Sequence, residues 1–258
     1  MSICRSLRRD STALAGFAVI SHWVPFLLGS FAVGALNELA PLTGTLAERK
    51  DTIQGFLDSP ILRPEIIDVV KSATFLFAAG QETTTKLLSA AMRVLAEHPE
   101  VFERLRNDRT RIQNFVEEML RMESPVKSAF RLAKKDTVLG GVEIPAGTIL
   151  MINPGAINRD PRRFDDPHEF DIDRHNVREH LAFSRGAHSC PGGPLARVEG
   201  RVSLERILDR MANIRLDEEF HGPEGDRRFN YEPTFILRGL TEIHITFDAV
   251  EDVPERTS

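Results

Sequence analysis

His180-Leu181-Ala182-Phe183-Ser184-Arg185-Gly186-Ala187-His188-Ser189-Cys190-Pro191-Gly192-Gly193-Pro194 is the stretch that decides the reading of this chain. A single cysteine, Cys190, sits in a Gly- and Pro-rich loop just ahead of a helix predicted over about 194–211. At a helix N-terminus a thiolate is favoured by the dipole and by N–H groups that have no partner inside the helix. Three uses of such a cysteine compete, beside that of an inert buried residue. As a zinc ligand it would join His168, His175, His180 or His188, but structural zinc usually takes more thiolates at tighter paired spacing. As a nucleophile it would need a base, yet His188 is only two residues away and no orienting acid is evident. As an axial ligand to haem iron one cysteine suffices, and backbone N–H groups tune the sulfur. The loop by itself leaves these uses open.

Upstream, apolar residues recur at helical spacing through Ile66, Val69, Val70, Ala73, Leu76, Phe77, Leu87, Leu88, Ala91 and Leu95. The pattern opens at Pro64 and stops before Pro99, as a helix should. One continuous helix there would be roughly 50 Å long at about 1.5 Å per residue, and it would run through the middle of its domain. Its centre, Ala78-Ala79-Gly80-Gln81-Glu82-Thr83-Thr84-Thr85, breaks the local rules. A Gly costs about 1 kcal/mol against Ala, and three consecutive Thr are poor helix formers. The Thr83 hydroxyl can bond the Ala79 carbonyl four residues back and bend or open the helix. Violations gathered in one turn are where a functional site is expected. Ala79 and Gly80 would let something flat approach the backbone, with the acid of Glu82 and the hydroxyl of Thr83 beside it. The competing reading is a helix-packing notch.

A short helix is expected from Pro99, and another over about Arg111–Met122, opened by Thr110 with Gln113 in a capping-box pattern. On the latter, Glu118 and Arg121 share a face and can pair, which matters only if that face is buried. Between Phe130 and Asn153, Gly140, Gly141 and Pro145-Ala146-Gly147 punctuate short β-prone runs. Residues 154–191 read as loop, and Glu242–Phe247 as a strand. The expected fold is mainly α with a small β part.

The length of 258 residues, 41% hydrophobic and 28% charged, suits a chain that buries a real core. Lys+Arg 33 against Asp+Glu 38 gives a net charge of −5, which argues against nucleic acid as the main partner. Two cysteines, Cys4 and Cys190, exclude a disulfide scaffold and suit a reducing compartment. Arg5, Arg8 and Arg9 precede Ser11–Asn37, which holds no Asp, Glu, Lys or Arg and is long enough to cross a bilayer. Against an anchor stand His22, Pro25 and three Gly; the other reading is one or two buried helices broken near Pro25.

Phe183-x-x-Gly186-x-His188-x-Cys190-x-Gly192 resembles the haem-binding signature of the cytochrome P450 superfamily. Ala79-Gly80-Gln81-Glu82-Thr83 resembles its oxygen-activation motif on the long central helix, and Glu118-x-x-Arg121 its Glu-x-x-Arg pair. Arg174, in Phe170-Asp171-Ile172-Asp173-Arg174-His175, occupies the place of the arginine that completes that buried triad. The four occur in the family's order, over about Thr52–Phe247, and the flavour is that of soluble bacterial members. The resemblance divides the chain into an unassigned apolar segment, 1–44, and a C-terminal haem-binding portion of the P450 fold, 45–258. Only 63 residues precede Pro64, too few for the family's N-terminal half, so the chain reads as lacking it.

The resemblance implies haem b (iron protoporphyrin IX) with Cys190 as axial thiolate, favouring O–O cleavage. It implies that Phe183 packs near the sulfur and that Gly186 and Gly192 let the backbone approach the ring. His188 and Arg131 would hold the haem propionates. Glu82 and Thr83 would relay protons to dioxygen, with Ala79 and Gly80 making room for it. Glu118, Arg121 and Arg174 would be a structural network behind the haem. The Ser184 position often carries Gly in the family. The implied activity is a monooxygenase that inserts one atom of O2 into an apolar small molecule. Electrons would come from NAD(P)H through a ferredoxin or flavodoxin-type partner and its reductase, docking near Arg185 and Arg197. The alternative is a truncated, catalytically incompetent fragment that binds haem weakly or not at all. The expected location is the cytoplasm, with anchoring through residues 11–37 as the alternative.

Overall fold

A computed structural model describes residues 66–250. The segment 1–44, its boundary with the rest, and the candidate span 11–37 lie outside the described residues. Among those described, no helix is long and apolar enough to cross a membrane.

The long helix is α1, Ile66–Glu97, 32 residues without a break. Its two halves live in different surroundings. From Thr84 onward it buries Leu87, Leu88, Ala91, Met92 and Leu95, whereas Phe75, Leu76 and Phe77 stand 59–71% exposed. Its second half therefore runs through the middle of the domain, as the periodicity predicts, and its first half does not. It stops at Glu97 because Pro99 occupies the first turn of α2, Pro99–Asn107, where a missing N–H costs nothing.

Helix α3, Ile112–Met122, begins one residue later than expected, and the Thr110/Gln113 capping box does not form. Asp108 instead caps a 3-10 turn at Arg109–Arg111, accepting from the Thr110 N–H at 3.1 Å and from the Thr110 hydroxyl at 2.5 Å. Thr110 lies inside that turn, so Arg111 is the residue that precedes α3, and no side chain caps the helix. α3 presents Ile112, Phe115, Val116 and Met119 to the core. It packs on α5, Gly193–Arg210, where Gly200 faces Val116 so closely that a Cβ would lie 3.3 Å from both Val116 methyls.

Three two-stranded antiparallel sheets make the β part. β1 (Ala129–Leu132) pairs with β4 (Ile149–Ile152), setting Arg131 opposite Leu150. β2 (Thr137–Leu139) and β3 (Val142–Ile144) join through Gly140-Gly141, both at positive φ, as a tight hairpin turn requires. Between β4 and the cysteine loop lies one short helix, α4 (Pro154–Ile157), and little else that is regular. β5 (Met211–Leu216) follows α5 directly and pairs with β6, Ile245–Ala249, three residues beyond the expected start. A four-residue helix, α6 (Glu218–His221), follows β5. The core joins the second half of α1 to α2, α3, α5 and the β5–β6 pair.

Candidate functional site

The cysteine loop is held by its own backbone. The Cys190 N–H donates to the Phe183 carbonyl at 2.9 Å, closing the loop around a 3-10 turn at Gly186–His188. Gly186 sits at φ +76°, a conformation that disfavours any side chain, and Ser184 at φ +60° accepts that strain. The glycine common at the Ser184 position in the resembled family thus has a backbone reason. Cys190 is a free, exposed thiol two residues before α5 begins turning at Gly192.

Cys190 lines a cavity of about 350 Å³ between the loop, α1 and the β1–β4 pair. Ala79, Thr83, Arg131, Phe183 and His188 line it too, so six of the expected residues converge. The Thr83 hydroxyl donates to the Ala79 carbonyl at 2.8 Å, the back-bond expected from the sequence. The walls are otherwise mostly apolar, including Leu87, Leu120, Val126 and Ile152. They carry no chemical signature of their own, although Ala79, Thr83 and Leu87 form an i, i+4, i+8 stripe visible in the sequence. Thr84 also lines the cavity and hydrogen-bonds Glu199 of α5, whose carboxyl is pushed up by burial against the pull of that bond.

Four expected residues do not line this cavity. Gly80 is not in its wall, and a Cβ there would meet nothing within 4 Å. Glu82 is about 100° around the helix from Thr83. It opens instead onto a second cavity of about 420 Å³, where its carboxylate lies 3.4 Å from Lys86. Lys86 is in turn anchored on Glu232 at 2.6 Å. Gly186 and Gly192 act through the backbone, and a Cβ on Gly192 would come 3.8 Å from the Cys190 sulfur.

Two adjacent carboxylates of α3 organise the ground behind the loop. Glu118 and Arg121 are fully buried and pair through both carboxylate oxygens at 2.7 Å. Arg121 also donates to the carbonyls of Asn158, Pro167 and Glu169, and Arg174 reaches Glu118 at 3.3 Å. Glu117, not singled out in the sequence, is 2% exposed and accepts from Arg197 at 2.6 and 3.1 Å and from His180 at 2.9 Å. Burial pushes the Glu117 carboxyl up, but the bonds from His180 and Arg197 outweigh it and hold it down at about 2. Arg197 is therefore committed to Glu117 and to the face of Phe183, 4.6 Å away, rather than being a free docking charge. His180 is equally committed, and among the described residues no group of three or more His, Cys, Asp or Glu is arranged to hold a metal ion. That removes support for the zinc reading.

The cytochrome P450 family profile matches residues 46–213, and the chain belongs to this family as a bacterial-type member. The cytochrome P450 monooxygenase PikC of Streptomyces venezuelae is 37% identical over 191 residues, covering 74% of this chain and 44% of PikC. The biotin biosynthesis cytochrome P450 of Bacillus subtilis is 36% identical over 181 residues, 70% of this chain and 44% of that protein. Substrate-free cytochrome P450 CYP150A6 of Mycobacterium marinum superposes with a TM-score of 0.71 at 70% identity, covering 72% of this chain and 46% of its own. The chain thus spans less than half the length of these relatives. The family implies a haem cofactor, and the cavity's donors fit one: a soft thiol, apolar walls, and the cationic or protonatable groups Arg131, Arg185 and His188.

Proposed function

We propose that the chain is the haem-binding part of a haem-thiolate monooxygenase, with residues 45–258 as the unit that holds haem b. The observation that carries this reading is the convergence of Cys190, Thr83, Arg131, Phe183 and His188 on one apolar cavity from three separate stretches of sequence. Haem, when bound with a thiolate ligand, supplies reductive activation of O2 for insertion of one oxygen atom into an organic molecule. Cys190 would ligate the iron, and Arg131 and His188 would pair with the propionates through charge-assisted hydrogen bonds. Arg131 now rests on the Phe130 carbonyl at 2.8 Å, a bond it would exchange for a carboxylate.

Thr83 is the hydroxyl that moves a proton at this site. Its oxygen is fixed by donation to the Ala79 carbonyl, which leaves its lone pairs facing the cavity able to accept and pass on a proton. Glu82 supports this from the far side of the helix: half-exposed and beside Lys86, it would exchange protons with solvent rather than touch the substrate. The mostly apolar lining suits an apolar small molecule. Electrons would come from NAD(P)H through a ferredoxin or flavodoxin-type protein with its reductase, meeting the surface near Arg185. The mild acidity and the absence of a basic excess give nucleic acid no role.

A second reading rests on a separate observation. The candidate ligand Cys190 is itself exposed, and Phe130, Leu132, Ile149 and Met151, on the face of the β1–β4 pair away from the cavity, stand 46–71% exposed. A chain so open would retain haem weakly and turn over poorly. Haem titration of the full chain, followed by turnover under ¹⁸O2 with a surrogate ferredoxin and reductase, separates the two. Stoichiometric haem and one labelled oxygen in the product support the monooxygenase; no retained haem supports the fragment.

A further inference from the structure

We infer that Glu117 is a positioning residue that clamps both ends of the Cys190 loop, and so fixes where the sulfur stands in the cavity. The inference deepens the haem-thiolate reading and rests on it. Glu117 reaches the start of the loop through His180. The Ala182 N–H donates to His180 Nδ1 at 3.2 Å, which makes that nitrogen the acceptor and leaves the ring proton on Nε2, where it points at Glu117 Oε2 2.9 Å away. Glu117 reaches the end of the loop through Arg197, whose Nε and Nη2 both donate to it. The same guanidinium lies over the Phe183 ring and donates to the Gly193 carbonyl at 3.4 Å.

The two ends also touch each other. A Cβ on Gly193 would come 3.4 Å from Arg197 Nη1 and 3.5 Å from the Phe183 ring, so the loop closes on itself at this point. From Phe183 the path to the sulfur is one hydrogen bond, the Cys190 N–H to the Phe183 carbonyl. Arg178, at 3.8 Å, is the remaining charged group on Glu117. All the bonds at Glu117 are charge-assisted, the class of hydrogen bond that best resists opening.

The division of labour on α3 is what separates this role from the buried triad. Glu118 takes the Asp171 N–H at 2.9 Å together with Arg121 and Arg174, and so holds the segment 165–174. Glu117, one residue earlier and about 100° around the helix, holds residues 180–197. Losing Glu117 should loosen one segment and spare the other.

The test is hydrogen–deuterium exchange on the full haem-free chain, followed by ferrous–carbon monoxide spectra after haem is added. Glu117→Gln keeps the shape and removes the charge. Exchange over 180–193 should accelerate by at least about tenfold, the scale expected when charge-assisted bonds are lost, while 165–174 stays as in wild type. After reconstitution, the share of protein in the red-shifted thiolate band should fall. Arg197→Lys, at a partly exposed position, should do the same more mildly, and it serves if Glu117→Gln does not fold. Unchanged exchange over 180–193 together with an unchanged spectrum overturns the inference, and so does equal acceleration over both segments. A wild-type chain that retains haem but lacks the thiolate band is a different failure: it sinks the haem-thiolate reading, and the role of Glu117 toward iron with it.

Discussion

Arg121→Lys is the substitution whose cost the structure fixes most closely. The guanidinium has five N–H donors, and all are used: Nε and Nη2 on the two oxygens of Glu118, Nη1 on the carbonyls of Asn158 and Pro167, and Nη2 again on Glu169. The residue is fully buried, with its guanidinium 5.2 Å from the Phe164 ring centre, so no water stands ready to replace a lost bond. Lysine keeps the charge but offers three donors from a single point. Glu118 Oε1 keeps the Asp171 N–H and Arg174, and the Glu169 carbonyl keeps Arg174, whereas Glu118 Oε2 and the carbonyls of Asn158 and Pro167 take their bonds from Arg121. One ammonium cannot reproduce the fork to all three, and an acceptor left unpaired costs about 1–3 kcal/mol. Against a typical total of about 5–15 kcal/mol, that is a large share. Urea unfolding of the haem-free chain, with a slope of about 2 kcal/mol per molar, should show the midpoint fall by about 0.5–1.5 M. A fall under about 0.3 M would refute the reasoning, because it would mean that the carbonyls find other partners or that the fork geometry carries no weight.

Glu117 sets a pH dependence. Its folded-state pKa of about 2 lies below the ordinary 4.5, so its contribution is complete above about pH 4.5 and is lost as pH falls toward 2. The amount is of order 3 kcal/mol, and urea midpoints followed from about pH 6 to about pH 3 should drop more steeply for wild type than for Glu117→Gln. Parallel curves would contradict it. At Gly186, φ +76° with open space around the missing Cβ means that the cost of alanine is backbone strain alone. Gly186→Ala should therefore destabilise by about 1–2 kcal/mol and Gly186→Asn by less, read from thermal melts; equal effects would place the cost elsewhere. Thr83→Ala should leave haem affinity within about twofold of wild type while diverting reducing equivalents to peroxide, and Thr83→Ser should restore coupling. Unchanged coupling in Thr83→Ala would remove Thr83 from the proton path.

What could be read without coordinates was the set of residues with a chemical signature and regular spacing. The cysteine loop, the Thr83–Ala79 back-bond and the Glu118–Arg121 pair all follow from offsets of two to four residues, and α1 from its period. What could not be read depends on contacts across the chain. Glu117 looked like any acid beside a more recognisable one, because its partners His180 and Arg197 are 63 and 80 residues away. The facing of Glu82 away from Thr83 is a matter of helical phase against a cavity that only packing defines. The capping box does not form because the 3-10 turn that Asp108 opens takes in Thr110 and leaves Arg111 at the start of α3. β5 carries no mark in the sequence, since its strand begins where α5 ends, with no turn residue at the change.

The central claim is that Cys190 presents a thiolate to haem iron in this chain. The ferrous–carbon monoxide difference spectrum of the full chain supplied with haem, beside that of Cys190→Ala, tests it most directly. A strongly red-shifted Soret band in wild type that is absent from Cys190→Ala is the predicted result. A band at the position typical of histidine ligation, or the same spectrum from both proteins, would contradict it.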